Sequence, residues 1–386
     1  MLRIVAIAFL ASCASGSRDS GSQNSLDAND TGIIEGDGAM PHAVAKRIGA
    51  GFAFTCAITK SGGVKCWGIN THGQLGDGTT TDRTVPVDVV GLDAGIVDLA
   101  VGQEHACALT QQGRVLCWGR GDFGALGNGS FVSSSTPVAV AGVTGATAIS
   151  GGYNHTCAVT AAGGVTCWGE NLWGALGDGT TTARASPVDV VGLGSGVAAV
   201  SAGGFTCAVT TVGSVLCWGN AQLGSTHSTP SSVVDLTSGV SRIAVGLNGA
   251  CALTTSGSLK CWGINSSGAV GDGTTTTRTT PVTVIPSGAR GVARTYESTY
   301  ALTEAGMLSW GNNQGGELGD GTHAWRVVPG PVLGVAGSVS QIAPGYGHAC
   351  VLLDTGRAQC WGRNDYGQLG DGTTVERLAA VDVVVL

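Results

Sequence analysis

The chain has 386 residues, a net charge of −7 with only 12% charged residues, and 66 glycines against ten prolines. Glycine in that amount, with many Val, Thr and Ala and few Lys, excludes long helices as the main material and points to short strands joined by tight turns. The acidic balance leaves no basic stripe for a phosphate backbone, so nucleic-acid binding is set aside on electrostatic grounds.

In chain order, residues 1–12 read first as an export signal. Arg3 supplies the positive start and Ile4 to Ala11 the short apolar core, which is too short to span a membrane as a mature helix. Leu10-Ala11-Ser12-Cys13 resembles the bacterial lipobox, which implies a lipid on Cys13. By the same resemblance, Ala14 after the cysteine favours the outer membrane. The alternative is an ordinary signal peptide with an incidental cysteine. Residues 13–43, rich in Gly, Ser, Asp and Asn without periodicity, read as a flexible tether with a reach of roughly 30 Å.

From residue 44 to 386 one unit recurs seven times. Trp-Gly stands at Trp67, Trp118, Trp168, Trp218, Trp262, Trp310 and Trp361, at intervals of 44 to 51 residues. Self-similarity at that period means a repeat architecture. Four short strands per unit, repeated seven times, predict an all-β, seven-bladed β-propeller. An open solenoid would need atypical capping units, and the final "VDVVVL" runs much like the ends of the others. The stretches "GQEHACAL", "WGINTHGQLGDG" and "WGRNDYGQLGDG" resemble the regulator of chromosome condensation repeat family. That resemblance covers about residues 45 to 386 and implies the propeller fold; it says much less about activity. The family's eukaryotic namesake is a chromatin-bound nucleotide exchange factor, a role that an acidic, exported chain does not fit.

Six units carry cysteines ten residues apart: Cys56 and Cys66, Cys107 and Cys117, Cys157 and Cys167, Cys207 and Cys217, Cys251 and Cys261, Cys350 and Cys360. A glycine follows the first cysteine by six residues, where a three-residue hairpin loop needs a left-handed residue. With 161–163 as the loop, Cys157 falls opposite Cys167, within disulfide reach. In the sixth unit Tyr300 and Ser309 replace both cysteines together, as expected if the two serve one bond. Disulfides are therefore expected, in an oxidising compartment. Paired free thiols come next, and zinc last, because no unit offers a second cysteine pair or histidines at ligand spacing.

Asp77, Asp178, Asp272, Asp320 and Asp371 are each followed six residues later by an arginine, whereas the second unit replaces both partners, with Asn128 and Ser134. Presence and absence together suggest an ion pair bracing each Gly-Asp-Gly loop. Calcium on these loops is the weaker alternative, since each offers one carboxylate. His105, His155 and His348 share one repeat position, where hydrogen-bonded structural histidines are expected.

Function is expected where the units differ. Five residues past the frame tryptophan stand His72, Phe123, Trp173 and Tyr366, which a closed ring places on neighbouring blades as an aromatic arc. A second variable ring holds Phe52, Tyr153, Leu247, Tyr296 and Tyr346. Rigid aromatics on loops suit protein interfaces and sugar stacking. The shortened fourth unit is expected to notch the rim. The expected product is an envelope-anchored, non-enzymatic scaffold that binds a protein through His72, Phe123, Trp173, Tyr366, Tyr153 and Tyr346. Carbohydrate binding is the second reading, and a hydrolase or lyase the third. No catalytic residue, cofactor or metal is assigned. The chain is expected to be monomeric, at the outer membrane or cell surface, and to touch the membrane only through the lipid on Cys13.

Overall fold

In the computed structural model, which describes residues 44–220, 227–384 and 386, the hairpin loop of the third unit is 161–163. Gly163 takes φ +75°, and the strands on either side pair Val159 with Val165 and Cys157 with Cys167. The export signal, Cys13, the tether and the shortened loop at 221–226 lie outside the described residues. Each unit forms one antiparallel sheet of four consecutive strands, and seven such sheets make the propeller. In blade one these are β1 (Ala45–Ala50), β2 (Phe54–Thr59), β3 (Val64–Gly68) and β4 (Arg83–Asp88).

The first strands of neighbouring blades lie side by side around a central channel, and β1 contacts the first strand of blade seven in the same way. Among the described residues, no strand is shared between the two ends of the chain. The ring closes instead by blade packing, with Gln341 of blade seven accepting from Ile48 N (3.1 Å) and donating to Ile48 O (2.7 Å).

The frame tryptophans join blade to blade. The indoles of Trp118, Trp168, Trp218, Trp310 and Trp361 each donate to a loop carbonyl of the preceding blade, and Trp67 donates to Gln368 O across the closure, at 2.8 to 3.2 Å. All six are fully buried. The Gly-Asp-Gly loop passes so close that a Cβ at Gly177 would stand 2.7 Å from the Trp218 nitrogen. Trp and its glycine therefore belong to one contact, made between units.

A second contact runs beside it. His155 Nε2 donates to Thr206 Oγ1 of the next blade (2.8 Å), and that hydroxyl donates to Ala175 O (2.8 Å). His105 meets Thr156 at 2.8 Å and His348 meets Thr55 at 3.1 Å. Burial holds these three histidines down, to about 4 for His105 and His348 and about 3 for His155. They are structural, as the sequence suggests. Blades one and four fill the same place with Phe54 and Phe205, and blade five with Gly249, whose empty space takes Arg294 from blade six.

All six cysteine pairs stand at disulfide distance, with sulfurs 2.04 to 2.19 Å apart, and all twelve side chains are buried. In blade six Tyr300 pairs with Ser309 at the same register. Tyr300 Oη donates to Glu317 O and Ser309 Oγ to Leu318 O, so hydrogen bonds tie the strands to their own loop where sulfur is absent. One feature differs from expectation. Because this unit is one residue shorter, Thr303 pairs directly with Gly306 and the turn is only two residues.

Two outcomes follow from these contacts. Gly177→Ala is expected to cost about 2–4 kcal/mol, combining left-handed strain with overpacking against the indole. Gly192→Ala, also left-handed but with nothing within 4 Å of its Cβ, is expected to cost only the strain, about 1–2 kcal/mol. Urea unfolding measures both, and equal losses contradict the indole contact. The histidines predict a pH dependence. Their folded values lie below the ordinary histidine value of 6.5, so between pH 6.5 and about 4 the unfolded chain binds protons the folded chain does not. Stability therefore falls on acidification through that window. His155→Phe is expected to flatten the decline, and an unchanged slope of stability against pH counts against this assignment.

Candidate functional site

Antiparallel pairing in each blade sends the link between strands one and two and the link between strands three and four to one face. The hairpins between strands two and three, and the links to the next blade, lie on the other. Val44, the Lys60-Ser61 turn and Leu386 line one shallow depression on that other face. Both sets of variable loops singled out from the sequence therefore share the face remote from Val44.

At the centre of that face the first loops surround the channel mouth. Their backbones interlock around the ring: Phe52 N donates to Gln103 O, Gln103 N to Tyr153 O, Tyr153 N to Gly203 O, and Tyr346 N to Gly51 O. On this fixed frame four side chains converge. Phe52 stacks on Tyr346 with centroids 4.7 Å apart and planes at 14°. Tyr296 meets Tyr346 edge-on at 4.8 Å, and Tyr153 reaches Tyr296 at 5.3 Å. Blades one, three, six and seven thus supply a continuous aromatic chain across the mouth. Phe52, Tyr153 and Tyr296 are half-buried and Tyr346 is exposed, so the cluster keeps apolar area open to a partner. Burial pushes the Tyr153 phenol up, while a hydrogen bond from Gln103 works against it.

Farther out, the arc residues stand apart. Trp173 is 52% exposed and Tyr366 39%, and among the described residues Phe123, Trp173 and Tyr366 make no ring contact with one another. Phe123 is half-buried beneath the Arg120 guanidinium, 5.1 Å from its ring centre. Arg120 also donates to Glu104 (2.6 Å) and Asp122 (3.0 Å), and His72 approaches Glu104 at 3.9 Å. His72 of blade one thus stands beside the Arg120–Glu104 pair of blade two. Leu172, Phe131, Val132 and Trp325 add exposed apolar area on these loops. Trp325, 53% exposed, was missed from sequence. The signal was present: the chain has nine tryptophans, and only seven serve the frame.

The loops carrying these residues are braced from within. In blade three, Asp178 Oδ2 accepts from Arg184 Nε (3.0 Å), and its Oδ1 accepts from Thr180 N, Thr180 Oγ1 and Asn171 Nδ2 at 2.7 to 3.1 Å. Asn171 Nδ2 also donates to Thr180 O and Thr182 O, and its Oδ1 accepts from Leu176 N. Burial works to raise the Asp178 carboxyl, but the bonds from Thr180, Arg184 and Asn171 outweigh it and hold it below the ordinary range. The expected Asp–Arg pairs recur in blades one, five, six and seven at 2.5 to 3.5 Å. Sequence reasoning did not see the asparagine, although blade two loses all three members together, as Gly121, Asn128 and Ser134. With the Asp178 oxygens already held by protein donors, the loop offers calcium little to bind. Among the described residues no group of three or more His, Cys, Asp or Glu is placed to hold a metal.

The comparisons agree with this geometry. Two models described as the regulator of chromosome condensation (RCC1) repeat match residues 61–109, 112–159 and 305–352, and 45–74, 96–125, 240–269 and 339–368, together more than half of the chain. Human E3 ubiquitin-protein ligase HERC2 is 36% identical over 107 residues, 27% of this chain and 2% of its own length. The ultraviolet-B receptor UVR8 of Arabidopsis thaliana is 35% identical over 100 residues, 26% of this chain and 23% of its own. The matched region is thus a small part of these relatives. Among solved structures, human WBSCR16 has a TM-score of 0.72 at 23% identity, covering 82% of this chain and 88% of its own. Prp20p of Saccharomyces cerevisiae, described with its binding to Gsp1p and histones, has 0.73 at 21%, covering 89% and 88%. At such identities the likeness speaks for the fold. The repeat matches, over more than half of the chain, and the seven blades place the chain in the regulator of chromosome condensation (RCC1) repeat family.

Proposed function

We propose that the protein is a non-enzymatic binding scaffold held at a bacterial envelope, with a protein partner seated on the face that carries the aromatic mouth and rim. The observation that carries this reading is the continuous cluster of Phe52, Tyr346, Tyr296 and Tyr153 on an interlocked backbone. Rings held rigidly lose little freedom on binding, and partly exposed aromatics of this kind dominate protein interfaces. Trp173 and Tyr366 give outlying footholds. Relatives of the fold bind proteins, Prp20p among them, which supports a protein over a sugar.

The anchoring reading rests on the lipobox-like Leu10-Ala11-Ser12-Cys13 and on cysteine pairs suited to an oxidising compartment. Geometry accords with it. The chain enters the propeller at Val44, on the face opposite the aromatic mouth, so the tether joins the ring away from the proposed partner face.

A crosslinked pull-down from intact cells, with the mature chain weighed, tests both parts. The mass is expected to show cleavage before Cys13 and an attached lipid; an unmodified mature chain removes the anchor. With the captured partner in hand, Tyr153→Ala and Tyr346→Ala are each expected to weaken binding by about 1–3 kcal/mol, and joint replacement of Phe123, Trp173 and Tyr366 by Ala to weaken it in smaller steps. Undiminished binding in both sets of variants overturns the proposed face.

A further inference from the structure

Charge is not spread evenly over the two faces of the ring. Outside the five Asp–Arg braces, the links on the partner face carry eight carboxylates against Arg120 and Arg363, whereas the loops of the opposite face carry four carboxylates against three cations. Both arginines are already engaged, Arg120 by Glu104 and Asp122, and Arg363 by Asp365. The partner face therefore presents itself as an anionic surface.

Two of these carboxylates stand beside the aromatic mouth. Glu297 directly follows Tyr296 in the chain. Glu170 N donates to Asn154 O (2.9 Å) and Glu170 Oε2 accepts from Asn154 Nδ2 (2.8 Å), which fixes this carboxylate against the residue next to Tyr153. Among the described residues neither Glu170 nor Glu297 makes an ion pair. Because Tyr153 and Tyr296 meet across the ring, the two carboxylates flank one aromatic strip, from blade three and from blade six. Tyr296 Oη, buried without a hydrogen-bond partner, leaves a polar atom of that strip open. Ring faces and carboxylates attract the same sign of charge, so the strip and its flanks select together for a cation. Arg294 is the one cation lining the mouth. It is 6% exposed, its Nη1 lies 3.6 Å from Cys251 Sγ, and a Cβ on Gly249 would stand 2.6 Å from its Nη2. Its charge is thus held in the wall between blades five and six, not among the open rings.

We infer that the partner seats a lysine- or arginine-rich segment on this face, with one cationic side chain lying against Tyr153, Tyr296 and Tyr346 between Glu170 and Glu297. The inference rests on the partner face proposed above and adds the chemistry of what that face takes. Lysine and arginine suit the strip because each carries an apolar stem behind its charge: the stem covers the rings while the head meets a carboxylate. The remaining carboxylates of the face steer such a segment toward the mouth and repel an acidic one.

Fluorescence anisotropy of a labelled hexa-lysine peptide, and separately of a hexaglutamate peptide, titrated with the full chain at physiological ionic strength, tests this. Screening there removes charge effects beyond about 8 Å. Hexa-lysine is expected to bind at one saturable site per chain and hexaglutamate not to bind. Glu170→Gln and Glu297→Gln together are expected to weaken hexa-lysine about three- to tenfold, the worth of two partly exposed ion pairs. Glutamine keeps the oxygen that accepts from Asn154, so the loop contact survives the change. Tyr346→Ala is expected to weaken it about two- to fivefold, the value of one exposed cation–π contact, and Tyr346→Phe, which keeps the ring face, to change little. Glu304→Gln removes the same charge from an exposed hairpin of the opposite face and is expected to change nothing. No saturable binding of hexa-lysine, or equal affinity in the Glu170/Glu297 double variant and the Glu304 variant, overturns the inference. If Tyr346→Ala still weakens the captured partner in that case, the face stands and only its chemistry falls; if neither partner nor peptide responds to Tyr346→Ala, the face falls as well.

Discussion

The structure depends on one contact repeated around a ring: a buried indole of one blade donating to a loop carbonyl of the blade before it, over a glycine that admits no side chain. A single four-stranded sheet of this size cannot bury its own apolar face, so each unit needs a neighbour. The indole supplies both the area and the direction. Loss of a buried tryptophan costs about 3–5 kcal/mol, and at the closure Trp67 uses Gln368 in the same manner as Trp118, Trp168, Trp218, Trp310 and Trp361 use the blade before them. Among the described residues, the first and last blades are thereby joined without exchanging a strand.

With the frame fixed this way, the repeated residues are occupied. Trp, the Asn-Asp-Arg brace, the cysteine pairs and the buried histidines all hold one part of the molecule against another. What remains available to a partner is what varies between units, and the topology gathers it on one face. The brace matters here because it lies directly beneath the rim: Asn171 and Asp178 shape the loop that begins with Leu172 and Trp173. A rigid rim loop can present an exposed tryptophan at low entropic cost.

Much of this was legible in the sequence because it repeats. Gly163 gave the hairpin register, hence the facing of Cys157 and Cys167, from a single left-handed position. The Asp–Arg brace was legible because unit two drops both partners, whereas the asparagine at its centre passed as part of the Trp-Gly frame. Contacts between unlike units were not legible. Tyr153 and Tyr296 belong to blades three and six, and only the diameter of the ring brings them to 5.3 Å.

The central claim is that one face of a rigid ring receives the partner and the other faces the side from which the chain arrives. A photo-crosslinking residue placed singly at Tyr346, Tyr366 or Trp173, and for contrast at Lys60 or Arg114 in the hairpin turns of the opposite face, tests it in intact cells. The account predicts one discrete adduct from the first three positions and none from the last two. A discrete adduct confined to Lys60 or Arg114 contradicts it.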